Sequence, residues 1–89
     1  MPKAEISWKR VTDEGVKLQV YARHIGREWK FFHREKRFDQ WQQVPQPPLE
    51  DWLELLDAIQ RLIVRRRYQP ADEEDVRQKI RERFPDADV

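Results

Sequence analysis

The hydrophobic pattern of this chain changes its period at a proline-rich segment, Pro45-Gln46-Pro47-Pro48. Before this segment apolar and polar residues alternate, which is typical of half-buried strands. After it the apolar residues recur every three or four positions, as in amphipathic helices. Proline lacks a backbone donor and restricts the residue before it, so neither element continues through the segment. The sequence therefore predicts a sheet over residues 1–44, a linker over 45–48, and helices after it.

Three antiparallel strands are predicted before the prolines. Apolar and polar residues alternate around Trp8 in the first strand, and the second has apolar side chains at every other position from 16 to 22. The third, residues 28–34, is rich in the aromatic residues that favour strands. Gly15 and Gly26 lie in the predicted turns. A meander of three strands follows.

Two features of this region stay open. Residues 38–44 fit either a short fourth strand at the sheet edge or an irregular arm. The orientation of Phe31 and Phe32 is also undecided, because a bulge between these adjacent aromatic residues would exchange the faces to which they point.

Two helices are predicted after the prolines, over residues 49–68 and 71–84. The apolar stripe of the first is wider than the sector of about 100° that a helix lying only on a sheet needs, so we expect it to have two partners. Acid-first ion pairs one turn apart support the second helix. Residues 85–89 are predicted to be a frayed tail. We therefore expect a single α+β domain over residues 1–89, with both helices packed on the sheet.

The residue composition argues against catalysis and metal binding. The chain of 89 residues has no cysteine, which excludes disulfides and thiolate metal sites, and Ser7 lacks the flanking glycines of a nucleophile elbow. His24 and His33 are the only imidazoles, and no spacing signature marks further ligands beside them. We predict that the protein is not an enzyme and that it needs neither a cofactor nor a metal.

No apolar run approaches the roughly 18 residues of a membrane-spanning helix, and the N-terminal sequence has no apolar core of a signal peptide. The expectation is a cytoplasmic protein with no membrane association. Because basic and acidic residues nearly balance, at a net charge of +1, any attraction to a polyanion must be local.

The first candidate site is the polar face of the meander. Residues 1–44 hold ten basic and six acidic residues, a surplus of 10 − 6 = +4. Lysine and arginine bind phosphates, and aromatic rings stack on unpaired bases, so this combination favours single-stranded nucleic-acid binding. The alternative is the solvated side of a half-buried sheet, with its rings covered by an arginine or by Trp41. The candidate residues are Lys9, Lys17, Tyr21, Arg23, Lys30, Phe32 and Arg34.

The second candidate is a group of guanidinium side chains, Arg61, Arg65, Arg66 and Arg67, which could hold a phosphate or a carboxylate. The alternative is structural, because cations near the C-terminus of a helix complement its dipole and reach free carbonyl groups.

The third candidate is an apolar excess on the first helix at Leu55, Leu62 and Val64, which a homodimer would bury. The alternative is that the second helix and the segment around Trp41 bury most of these residues within one chain, and the sequence favours this monomer.

The predicted function is thus a small non-enzymatic binding or interaction module of unknown ligand, whose partner is either another protein or a nucleic acid. Single-stranded nucleic-acid binding and homodimeric assembly are the alternatives.

Overall fold

A computed structural model describes residues 5–89 and shows an α+β arrangement, as predicted. Four antiparallel strands form one sheet in the order β1-β2-β3-β4, and two helices follow it along the chain. The elements are β1 (Glu5–Val11), β2 (Lys17–Ile25), β3 (Glu28–Arg34), β4 (Gln42–Val44), α1 (Leu49–Val64) and α2 (Pro70–Arg83). The undecided segment 38–44 therefore ends in a short edge strand.

Both predicted glycine turns are present, and each uses a backbone conformation that glycine adopts without steric cost. Gly15 has φ +84° and Gly26 has φ +62°. Thr12 closes the first turn, because its backbone N–H donates to the Val16 carbonyl at 2.8 Å and its Oγ1 accepts from the Val16 N–H at 3.1 Å. Gly26 and Arg27 form a two-residue hairpin loop with glycine at the first position, as a type II′ turn requires. These turns fix the strand register.

One face of the sheet, which we call the inner face, carries the buried side chains. Phe31 is 1% exposed and lies on this face, whereas Phe32 points to the opposite side, so no bulge intervenes between them. The Trp8 ring meets Phe31 edge to face, with centroids 6.1 Å apart. The buried residues of the inner face are Ile6, Leu18, Val20, Ala22, Trp29 and Phe31.

The chain divides into two compact units, Met1–Pro47 and Pro48–Val89. The boundary falls inside the proline-rich segment at which the hydrophobic period changes. We describe the sheet and the helix pair separately, and the packing of the helices on the sheet stays a prediction.

The helix pair has its own buried residues and its own polar contacts. In α1 the buried side chains include Trp52 and Ile59, and in α2 they are Val76 and Ile80. The Gln60 amide of α1 donates to Glu73 of α2 at 3.1 Å. The two helices are therefore joined by a side-chain hydrogen bond as well as by apolar residues.

Helix α1 ends at Val64, before the predicted end at residue 68. The Arg67 N–H donates to the Leu62 carbonyl and the Arg66 N–H to the Ile63 carbonyl, both at 2.9 Å, which is the hydrogen-bond pattern of a Schellman motif. Arg66 has φ +61°, the left-handed conformation that this motif requires after the helix end. The three consecutive arginines thus form a cap rather than a further helical turn.

Helix α2 covers Pro70–Arg83, one residue earlier at each end than predicted. Its start is a capping box in which the Gln69 N–H donates to the Asp72 carboxylate at 2.8 Å. In the predicted frayed tail, the Ala87 N–H donates to the Phe84 carbonyl at 2.9 Å, and Arg81 Nε donates to a Val89 oxygen at 3.0 Å.

Candidate nucleic-acid interface

All seven residues of the first candidate site lie on one face of the sheet. In an antiparallel sheet, residues that are directly opposite each other point to the same side. The register pairs Tyr21 with Phe32 and Arg23 with Lys30, and it connects Lys9, Gln19 and Arg34 across three strands. Lys17 is on the same side because it alternates with the buried Leu18. We call this side the outer face, defined by Lys9, Lys17, Tyr21, Arg23, Lys30, Phe32 and Arg34.

The outer face is organised in rows that run across the strands. The central row contains the paired rings of Tyr21 and Phe32, with Ser7 at one end and Gln43 at the other. The rows on either side of it, each two residues or about 7 Å away along the strands, contain basic residues. One basic row contains Lys9, Gln19 and Arg34, and the other contains Glu5, Arg23 and Lys30.

The central rings form a small apolar cluster on the outer face. Tyr21 and Phe32 are stacked with centroids 4.8 Å apart and planes at 15°. Trp41, from the segment between β3 and β4, meets Tyr21 edge to face at 4.7 Å and 88°. Aromatic pairs in such geometries each contribute about 0.5–1.5 kcal/mol beyond the area they bury. The cluster therefore fixes the position of Trp41 against the sheet.

Arg34 holds this arrangement together. Its Nε donates to Gln19 Oε1 at 2.7 Å, and its guanidinium carbon lies 4.1 Å from the centroid of the Trp41 ring. Its Nη1 also donates to the Asp39 carbonyl at 3.4 Å. Arg34 is thus a positioning residue for Trp41 and its segment. The sequence analysis gave cover of the rings by an arginine or by Trp41 only as the alternative to a binding face. The structure contains such contacts, because Trp41 lies against Tyr21 and Arg34 lies against Trp41.

The basic residues of the outer face differ in whether they have an acidic neighbour. Arg23 Nε lies 3.8 Å from Glu5. Lys9, Lys17 and Lys30 make no ion pair within residues 5–89. Lys9 and Lys17 are exposed and Lys30 is half-buried. These three lysines are therefore the cations of this face that an anionic ligand can use.

A depression on the outer face lies between Trp41 and strand β1. Its volume is about 340 Å³, and Trp41, 37% exposed, forms one wall. Gln19 and Lys9 are among the other residues that line it. It is open to solvent and near the lower end of the volumes of ligand pockets. A planar ring placed there would contact the Trp41 side chain.

Trp41 and Gln19 belong to this site but were not among the candidate residues. The alternation of β2 places Gln19 beside Lys9, so a stricter use of the pattern could have included it. No local signal places Trp41, which the sequence suggested only as a cover for the rings. Its position depends on Arg34, seven residues earlier, and on Tyr21 in another strand.

The arginine group at the end of α1 is consistent with the structural alternative. Arg61 Nε lies 3.3 Å from Asp57, one turn earlier, and both side chains are exposed. Arg65, Arg66 and Arg67 form the Schellman cap, where positive charge complements the helix dipole. No further group marks an anion site among these residues.

The three residues of the proposed dimer surface do not share one exposed surface. Leu55 is buried and Leu62 is half-buried, whereas Val64 is 82% exposed. Nine residues at about 100° each place Val64 on the side of the helix opposite to Leu55. The three residues therefore do not form one exposed apolar patch, and the oligomeric state stays a prediction.

The imidazole of His24 makes an aromatic contact. His24 stacks on the Trp29 ring at 4.5 Å with planes at 7°. Within residues 5–89, no cluster of three or more His, Cys, Asp or Glu is arranged to hold a metal ion. Over the same part of the chain, no helix has the length and apolar character needed to cross a lipid bilayer.

No protein-family model, curated protein or solved structure matches this chain, so the case for its function rests on the outer face itself.

Proposed function

We propose that this chain is a binding module that holds single-stranded nucleic acid on the outer face of its sheet. The observation that carries the proposal is a row of aromatic rings with a row of basic side chains on each side, all on one sheet face. Single-stranded nucleic acid presents bases and phosphates at the same time, and proteins bind it with rings for the former and cations for the latter.

The depression beside Trp41 is the position proposed for a base. Gln19 also lines this depression, and because its Oε1 already accepts from Arg34, the NH₂ group of its amide remains to donate to a base. Lys9 lies at the same depression and would neutralise an adjacent phosphate. Stacking is tolerant of sequence because every base has a π face, so we expect weak sequence preference.

A double helix fits this face less well. The bases of a duplex are stacked on one another, and their faces are not accessible to Trp41 unless the strands separate. Only the phosphate contacts of the lysines would remain. We therefore expect single strands to bind more tightly than a duplex of the same length.

The first experiment is a titration with oligothymidylate of about ten nucleotides, read by tryptophan fluorescence. Each phosphate contact on a single strand contributes a slope of about −0.7 to the plot of log affinity against log salt concentration, so three lysine contacts predict a slope of about −2. A hairpin duplex is the comparison ligand. No binding at about 100 μM protein, the weak end of non-specific affinities, contradicts the proposal.

The second experiment locates the site. The double variant Lys9→Gln, Lys30→Gln removes two unpaired cations of the outer face, and we expect the salt slope to fall in magnitude by about 1.4, two contacts at about 0.7 each. The matched control, Arg61→Gln with Arg65→Gln, removes the same charge from the helix end. If the control variant loses binding and the lysine variant keeps it, the site is the arginine group and the proposal for the outer face fails.

A further inference from the structure

We infer that Phe38 is a second stacking ring for the same nucleic-acid strand, presented by the turn Lys36–Asp39. This inference rests on the proposed function and extends its site beyond the sheet. The proposed binding site then extends from the outer face of the sheet to the segment that connects β3 to β4.

The first observation is the exposure of Phe38, which is 92% exposed. An isolated exposed apolar residue needs no explanation by itself, but an almost completely exposed phenyl ring in a connecting segment gains nothing from folding. Its apolar surface is available to a ligand.

The second observation is that the turn is held in place by three hydrogen bonds. The Asp39 N–H donates to the Lys36 carbonyl at 2.9 Å, and the Lys36 N–H donates to Asp39 Oδ2 at 3.1 Å. Arg34 of the outer face donates to the Asp39 carbonyl at 3.4 Å. A ring on a fixed turn loses less conformational entropy on binding than a ring on a flexible loop. Phe38 is thus exposed and also preorganised.

The third observation is continuity with the outer face. Phe38 is three residues from Trp41, so their Cα atoms are at most about 11 Å apart. The same guanidinium, that of Arg34, contacts both the Trp41 ring and the carbonyl of the residue after Phe38. Lys36 and Arg37 directly precede Phe38 and are exposed. A strand with a base on Trp41 therefore has a further ring and two further cations within reach.

A lipid surface is the other ligand that an exposed ring with adjacent cations could suit. Membrane anchoring through aromatic residues uses a large apolar face beside the cations, as in an amphipathic helix. Phe38 is a single ring on a turn, with polar residues on both sides. The observations therefore favour a base over a lipid surface, and the experiment includes both.

The experiment compares two ligand lengths on the full chain. Thymidine monophosphate, with a single base, occupies only the depression at Trp41, and an oligothymidylate of about ten nucleotides also reaches the turn. We expect Phe38→Ala to weaken binding of the longer ligand about fivefold or more, the lower end of the effect of removing one stacked base, and to leave the affinity for thymidine monophosphate unchanged. Phe38→Trp should retain binding of the longer ligand. Val64→Ala, at an exposed apolar residue of α1, is the control for a general surface effect.

The outcomes separate this inference from the proposed function. If the wild-type chain binds both ligands and Phe38→Ala binds them equally well, the inference fails and the proposed function stands. If the wild-type chain binds neither ligand, both fail. Binding to phosphatidylserine vesicles that Phe38→Ala abolishes, without an effect on the longer oligonucleotide, would assign the ring to a lipid surface and overturn the inference.

Discussion

The sheet and the helix pair use their basic side chains differently. In the helices, basic residues lie beside carboxylates of the same unit. These pairs are Arg77 with Glu73 at 2.7 Å, Lys79 with Asp75 at 3.0 Å, Arg81 with Glu74 at 3.0 Å, and Arg61 with Asp57 at 3.3 Å. On the outer face of the sheet, Lys9, Lys17 and Lys30 have no such partner within the described residues.

This difference separates the basic side chains that are paired within the helix pair from the three lysines of the outer face that make no ion pair with another described residue. Ion pairs at i, i+4 contribute a few tenths of a kcal/mol each and support helices that need such local stabilisation. The sheet has ring contacts on both of its faces instead, so we expect its lysines to contribute little to stability. The net charge of +1 does not reveal this difference between the sheet and the helix pair.

The largest expected effect is the loss of a ring from the inner face. Phe31→Ala removes a side chain that is 1% exposed and leaves a cavity, so we expect the free energy of unfolding to fall by about 3–5 kcal/mol. Phe32→Ala removes only the half-buried ring stacked on Tyr21 and should cost about 1 kcal/mol. Urea denaturation measures both. Equal losses would contradict the assignment of the two faces.

The next effect concerns the residue that adopts a left-handed backbone conformation. The sheet has glycine at its two positive-φ positions, whereas the helix pair has Arg66 at φ +61°. A positive φ costs a residue with a side chain roughly 1 kcal/mol of conformational free energy, so Arg66→Gly should raise the free energy of unfolding by about that amount. Thermal denaturation is the measurement. Arg66→Ala removes the same charge without this relief, and an equal gain in that variant would show that charge, not backbone strain, is responsible.

A smaller effect concerns acid pH and the helix pair. Hydrogen bonds from Gln60 and from Arg77 lower the pKa of Glu73 below its usual value. A lowered pKa in the folded state stabilises the protein above the ordinary pKa of 4.5, and this contribution is lost as the pH falls through the folded value. We expect Glu73→Gln to lower the free energy of unfolding by about 0.5 kcal/mol at pH 7. The difference in this free energy between the variant and the wild type should shrink at pH values below the ordinary pKa. A difference that is constant with pH would contradict this assignment.

The smallest effect on stability is expected for the lysines of the outer face. Lys9→Gln and Lys17→Gln should change the free energy of unfolding by less than about 0.5 kcal/mol, because neither side chain makes an ion pair with another residue of the range 5–89. Lys79→Gln, which breaks the pair with Asp75, is the comparison in the helices. A loss of stability in the sheet variants larger than in Lys79→Gln would reverse the comparison between the two units.

Much of the sheet could be predicted from the sequence, because alternation and two glycines indicate three strands and their turns, whereas the faces of Phe31 and Phe32 and the fourth strand stayed open. The seven candidate residues of the outer face share one side for this reason. Trp41 could not be placed in the same way. Its segment has no period, and the contacts that hold it come from Arg34 and Tyr21, which no local pattern connects to it.

The helices were predicted less accurately at their ends than in their interiors. Arginine has a high helix propensity, so residues 65–67 looked like a continuation of α1, and no glycine marked the cap. Among the apolar residues of the two helices, Leu55 and Val76 are buried, whereas Ile63 and Phe84 are only half-buried. A wide apolar stripe contains more residues than a small unit can cover, so periodicity alone does not select among them.

The fourth strand has a consequence for self-association. Strand β4 offers only Gln42–Val44 for pairing, and Pro45, which has no backbone donor, follows at once. A strand from another molecule would find few hydrogen-bond partners at this edge, and short edges ending in proline are a common protection against fibril growth. We therefore expect the β4 edge to pair poorly with strands of other molecules, whereas a longer edge strand would favour aggregation.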